Sequence, residues 1–379
     1  MQSQISTNKK ILSKDFFVNF IKKEFILTVS LILALLTSII STPKISYIDF
    51  KVIILLFNLM IVVSAFKELK VLDSIAVALL KKCNSYTSIS FALVFITFIS
   101  SMVVTNDVAL ITFVPLSIVI AKKADIDILK IIVFQTLAAN LGSSFTPMGN
   151  PQNLFIYSFY NLSALDFFKI TTPIIILALL FLSCLIIRDK KLKLKLDLKD
   201  IKIEDKKEVL WFSILFLIIL LSVFHIIDYK FAFLITIIMV LILNKNLFSQ
   251  VDYSLLLTFI GFFIFIGNIS TMDCVRSFMQ TVLNSNKSTF LSSIFASQII
   301  SNVPATMLLS GFTNHFRELL LGVNIGGLGT LIASLASIIS YKIYTKEFEI
   351  KNSEYLKVFS LYNFIGLALF IPLVFITLP

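Results

Sequence analysis

Charge is scarce in this chain: 15% of its 379 residues are Asp, Glu, Lys or Arg, against roughly a quarter in an ordinary soluble domain. A water-soluble enzyme core, a disordered chain and a repeat solenoid are therefore excluded. Cysteine is nearly absent. Cys83, Cys184 and Cys274 stand far apart, with neither metal-ligand spacing nor a disulfide framework. The two histidines, His225 and His315, fall near the ends of apolar segments, so no Ser-His or His-Glu constellation exists for an intramembrane enzyme. No Walker A pattern is present, and the chain supplies no ATPase. The 33 basic residues outnumber the 22 acidic ones, for a net charge of +11. They collect in short loops between apolar runs, as cytoplasmic loops of membrane proteins do, and no nucleic-acid-binding pattern accompanies them.

What is abundant is apolar. Hydrophobic residues make up 58% of the chain, the mean hydropathy is +0.95, and the runs approach the roughly 20 residues that cross a bilayer as helix. The expectation is an all-α polytopic membrane protein with about nine spans plus two hairpins.

Lys9, Lys10, Lys14, Lys22 and Lys23 put residues 1–24 in the cytoplasm. Lacking a cleavage site, residues 25–41 read as a retained first span, and 52–66 return. Residues 71–80 are too short to span and lie at the interface. Residues 88–121 are bordered by lysines at both ends and interrupted by Thr105-Asn106-Asp107. Arms of about 16 and 14 residues fall short of a full crossing, so a re-entrant hairpin is expected. Residues 129–163 hold Gly142, Pro147, Gly149 and Pro151, through which no plain helix runs. Such a break survives at membrane depth only where protein or a water-filled cavity satisfies its backbone. Residues 171–187 close a first repeat spanning 25–187.

Residues 188–208, with nine basic and six acidic side chains, form a charged cytoplasmic linker. The second repeat, 209–379, follows with spans at 209–227, 231–243 and 251–270 and an interfacial stretch at 272–283. A second hairpin at 289–316 pivots on Ser301-Asn302-Val303-Pro304. A second broken span at 319–341 carries Gly322, Gly326, Gly327 and Gly329, and 358–378 leaves the C-terminus outside.

The halves match in order: Asp49-Phe50 with Asp252-Tyr253, Thr105-Asn106 with Ser301-Asn302, Asn140-Leu141-Gly142-Ser143 with Asn324-Ile325-Gly326-Gly327, and Thr146 with Thr330. Six of the ten glycines sit in the two breaks. One hairpin opens inside and the other outside, so the repeats have inverted topology. That is the architecture of secondary transporters, whose sites lie where the discontinuities meet.

At these motifs the chain resembles the ion transporter superfamily of citrate and dicarboxylate carriers, arsenite permeases and NhaD-type sodium/proton antiporters. The fragments are Thr105-Asn106-Asp107-Val108-Ala109-Leu110, Gly142-Ser143-Ser144-Phe145-Thr146-Pro147-Met148-Gly149-Asn150-Pro151-Gln152-Asn153, Ser301-Asn302-Val303-Pro304 and Gly326-Gly327-Leu328-Gly329-Thr330-Leu331-Ile332-Ala333-Ser334-Leu335-Ala336. The resemblance implies a homodimer and an elevator-like movement of a transport domain against a scaffold. The tips depart from the Ser-Asn-Thr of dicarboxylate carriers. The Asn-Asp tip is nearer to arsenite permeases, and Gly-Asn-Pro-Gln-Asn nearer to carboxylate carriers.

Half-helices that start after each tip or break point free N–H groups and partial positive charge at a cavity, which suits an anion. Unwound carbonyls and hydroxyls suit sodium. The expected substrate residues are Thr105, Asn106, Asn150, Ser301, Asn302, Thr330 and Ser334. The expected coupling-ion residues are Asp107, Asn140, Gly142, Ser143, Ser144, Thr146, Asn324 and Gly326. Asp107, an ionisable group inside the membrane, is the sharpest of them, as sodium ligand or proton carrier; the bland alternative is that it caps a helix. The function so read is a carrier of citrate, a dicarboxylate or an inorganic oxyanion across the cytoplasmic membrane, without resident cofactor and coupled to Na+ or H+. Arsenite or antimonite efflux and sodium/proton antiport are the alternatives, and a channel would need a continuous pore instead.

Overall fold

The computed structural model describes residues 21, 24–189, 193, 198–203, 205–348 and 352–378, and every regular element among them is a helix. Residues 1–20 of the expected N-terminal segment, and part of the 188–208 linker, lie outside the described residues.

The first half comprises α1 (Phe25–Ile40), α2 (Phe50–Glu68), α3 (Val71–Leu80), α4 (Tyr86–Val104), α5 (Asn106–Ala124), α6 (Leu129–Ser143), α7 (Pro151–Phe159) and α8 (Ala164–Ile187). The second comprises α9 (Lys206–Val223), α10 (Tyr229–Leu243), α11 (Tyr253–Ile269), α12 (Asp273–Val282), α13 (Asn286–Ile300), α14 (Asn302–Ser310), α15 (Phe316–Ile325), α16 (Leu335–Glu347) and α17 (Asn352–Thr377). Four of these, α2, α4, α8 and α17, are long and apolar enough to cross a membrane singly, and α11 turns by 102° into α12. The protein is a multi-pass helical membrane protein.

The hairpins are tighter than the sequence suggests. Each pivots on one residue, Thr105 or Ser301, and the polar residues that follow are already the first turn of a helix. The first hairpin's arms are also longer than expected, 19 residues each. A Ser85–Ser88 capping box starts α4 early, and Lys122 and Lys123 sit in the last turn of α5, where the helix dipole favours cations. Ser285 and Ser288 repeat that capping box at the start of α13.

The breaks are likewise short. Residues 144–150 separate α6 from α7 around a 3-10 turn, Pro147–Gly149, and Pro151 begins α7, a position where its missing N–H costs nothing. Residues 326–334 separate α15 from α16 around a second such turn, Leu331–Ala333. Helices α15 and α16 run beyond the expected 319–341, to 316 and 347.

Two large apolar cores organise these elements. One gathers side chains of α4, α5, α6 and α8 with α13, α15, α16 and α17. The other joins α2 and α7 to α9, α10, α11 and α14. Each core takes helices from both halves of the chain. The first break is where the backbone leaves one core, with α6, and enters the other, with α7.

Candidate functional site

The tips hold an uncommon backbone. Thr105 has φ 75° and ψ 154°, and Ser301 has φ 74° and ψ 154°, a region that glycine prefers and that costs other residues about 1–3 kcal/mol. A β-branched residue there is a marked outlier. Ser301 Oγ donates to the carbonyl of Ala333 at 3.4 Å, whereas the Thr105 hydroxyl has no partner among the described residues and lines a cavity.

Behind the tips, asparagines tie the breaks together. Asn106 Nδ2 and Ser334 Oγ both donate to Asn140 Oδ1, at 3.3 and 2.9 Å. Asn140 Nδ2 donates in turn to the Gly327 carbonyl at 3.3 Å and to Ser337 Oγ at 3.2 Å. Asn150 Nδ2 donates to Ser143 Oγ at 3.1 Å and to Asn324 Oδ1 at 3.2 Å, and Asn324 Nδ2 donates to Asn153 Oδ1 at 2.7 Å. All five asparagines of these bridges are more than nine-tenths buried, and buried polar networks are strong only when their members are paired.

The threonines of the breaks are fasteners. Thr146 Oγ1 donates to the Met102 carbonyl, near the end of α4. Thr330 Oγ1 donates to the Gln298 carbonyl at the matching place on α13, at 3.1 Å, and caps the following turn through the Ala333 N–H. Ser143 and Ser144 donate to the carbonyls of Asn140 and Leu141; Ser143 Oγ also accepts from Asn150, and the lone pairs of Ser144 Oγ are left as acceptors. Gly142 and Gly326 allow close helix approach: an added Cβ would stand 2.6 Å from Ser101 Oγ on α4, or 2.8 Å from Ser297 Cβ on α13.

Asp107 is the second residue of α5 and makes no capping bond, since Thr105 occupies the cap position. That corrects the capping alternative. Its Oδ1 is buried with no partner among the described residues. Asn302 is also free of side-chain bonds among them. Its counterpart Asn106 reaches Asn140, but the residue equivalent to Asn140, Asn324, is engaged by Asn150 and Asn153.

Thr105, Asp107 and Asn150 come together in a cavity of about 380 Å³. The first turns of α5, α7 and α16 all contribute to its wall, through Val108, Pro151 and Leu335, and α2 and the start of α11 complete it. Each helix N-terminus carries about half a positive charge. Ser301 instead lines a second cavity, of about 560 Å³, with apolar residues of α1 and α11, and Leu335 borders both. Thr330 and Thr146 line neither cavity. The histidines stand apart from both, His225 against the Tyr157 ring at 4.9 Å. Among the described residues no group of three or more His, Cys, Asp or Glu could hold a metal.

Sequence reasoning passed over Asn153, Gln298, Ser337 and Lys67. Asn153 sits one turn after Asn150 in the break motif, and Lys67 shares a stripe of α2 with Leu56, Met60 and Val63, a helical spacing legible once that face is known to line a cavity.

An all-helical membrane chain whose two broken helices enclose a buried polar site is of the transporter class. Residues 16–314 match the citrate transporter family, CitMHS, and the chain belongs to that family. It is 36% identical to an uncharacterized transporter of Methanocaldococcus jannaschii over 84% of this chain and 88% of that protein. It is 28% identical to the inner membrane protein YbiR of Escherichia coli over 78% and 80% of the two chains. A Dictyostelium discoideum protein named for an arsB transporter is 30% identical over 41% of this chain and 27% of its own length.

Proposed function

We propose that this protein is a permease, without enzymatic activity, that moves a small anion such as citrate, a dicarboxylate or an inorganic oxyanion across the cytoplasmic membrane. The observation that carries this reading is the convergence of three helix N-termini on one cavity with Thr105, Asn150 and Asp107 in its wall. The helix ends and side-chain amides receive the anion, and the unpartnered Asp107 takes the coupling cation, Na+ or H+. Asn302, whose side chain is unbonded among the described residues and lines neither cavity in this conformation, offers its amide from the second tip.

The recurrence of tip angles, capping boxes and break fasteners in the same order in both halves supports inverted repeats and elevator-type alternating access. The expected topology puts the N-terminus in the cytoplasm and the C-terminus outside, and the assembly is a homodimer. Three ion pairs, Lys81–Asp200, Lys122–Glu347 and Lys130–Asp189, join segments that this topology assigns to the linker side. The cavity lining includes Lys67, Gln250 and Asp252 at that side, which supports a conformation open toward the linker.

The test is uptake by purified protein in liposomes of labelled citrate, succinate, phosphate, sulfate and arsenite under imposed sodium or proton gradients. Gradient-driven accumulation of a carboxylate or oxyanion is expected. The second reading, arsenite or antimonite efflux, is favoured by the Asn106-Asp107 tip, and movement of arsenite alone would select it. Exchange of sodium for protons with no anion moved would select the antiporter.

A further inference from the structure

We propose that Lys67 is a specificity-determining residue of this carrier, meeting the substrate's negative charge at the linker-side mouth before the anion reaches the helix ends at Thr105 and Asn150; this rests on the anion-carrier reading above. Lys67 lies in the last turn of α2, on the stripe that lines the 380 Å³ cavity, and is the one cationic side chain in the described lining. The two other charged groups there, Asp107 and Asp252, are acidic and repel an anion.

None of the neighbouring carboxylates forms an ion pair with this lysine among the described residues, although Asp73 on α3 interacts with it electrostatically. Glu68, the next residue, accepts from Asn244 Nδ2 at 3.0 Å and from Gln250 Nε2 at 2.7 Å. Asp252 accepts the Leu255 N–H at 2.9 Å as the cap of α11. Lys67 makes no ion pair among the described residues. A free ammonium on a long flexible stem, set in a cleft with apolar walls, concentrates anions locally and raises their capture rate. Placed at one end of the cavity, it acts on entry and release from that end alone. Three other lysines on this side, Lys81, Lys122 and Lys130, are each paired with a carboxylate.

The experiment uses the full chain, reconstituted and sorted by orientation, with labelled citrate offered from either side at low and high salt. Lys67→Gln is expected to raise the KM from the linker side about 10-fold, to flatten the salt dependence of that KM, and to leave the KM from the opposite side unchanged. Lys67→Arg is expected to restore the wild-type value, and Lys67→Glu to worsen it further. Equal changes on both sides, or no change on either, would overturn the role of Lys67 while leaving the carrier reading intact. A wild-type protein that moves neither citrate nor the succinate, phosphate or sulfate of the uptake panel from either side overturns both.

Discussion

Asp107 carries the sharpest chemistry because one of its carboxyl oxygens is buried without a partner among the described residues, an arrangement that is costly unless an ion or proton joins it. Asp107→Asn keeps the shape and removes the charge. The expected outcome is loss of gradient-driven accumulation with exchange of substrate across the membrane retained, read by counterflow against net uptake. Thr105 separates two quantities that usually move together. Thr105→Gly relieves a backbone that disfavours threonine, so a stabilisation of about 1 kcal/mol in thermal unfolding is expected. The same change removes the hydroxyl from the cavity wall and should raise the substrate KM. Stabilisation with an unchanged KM would mean that the hydroxyl has no part in binding. The identities of Asn106, Asn140, Asn150 and Asn324 were legible in the motifs, but their pairing was not. Asn324 bonds residues 171 and 174 positions away, and no local pattern encodes a partner at that separation.

Helices are legible in the sequence where their own residues decide them. Residues 71–80, expected as a stretch too short to span, form a ten-residue helix between Lys70 and Lys81. The hairpin arms extend beyond the apolar runs, because polar residues at the tips are themselves helical. In fact Asn106 and Asp107 start a helix, and Asn106 Oδ1 accepts the Asp107 N–H. Helix ends depend on caps as much as on polarity. The helices end beside Gly142 and Gly326, and α7 resumes at Pro151, since glycine and proline act on the backbone directly. Close packing of hairpin arm on half-helix leads to a graded prediction. Gly142→Ala, which forces a Cβ against the Phe98 backbone on α4, should destabilise by about 1–3 kcal/mol. Gly366→Ala, whose new carbon would meet flexible side-chain carbons at 3.2 Å or beyond, should be near neutral in the same thermal scan.

The two large cores mix helices from both halves, so neither half can bury its apolar face alone. A chain cut within the 188–208 linker and expressed as two fragments is expected to fold only when both are present, measured by co-purification and by recovered transport. Either fragment folding stably by itself would contradict this arrangement. The asymmetry of the two cavities also belongs to the assembled protein. Thr105 and Ser301 share the same backbone angles, yet one lines a cavity with charged groups and the other an apolar one.

By itself the sequence determined the membrane class, the order of helices, the two breaks and the resemblance between halves, because hydropathy and the backbone effects of glycine and proline act over a few neighbouring residues. Only the tertiary structure decided which asparagines pair, which threonines serve as fasteners, and that Lys67 shares a cavity with Asp107. Those relations join residues tens to hundreds of positions apart, and they arise when helices from both halves pack into common cores.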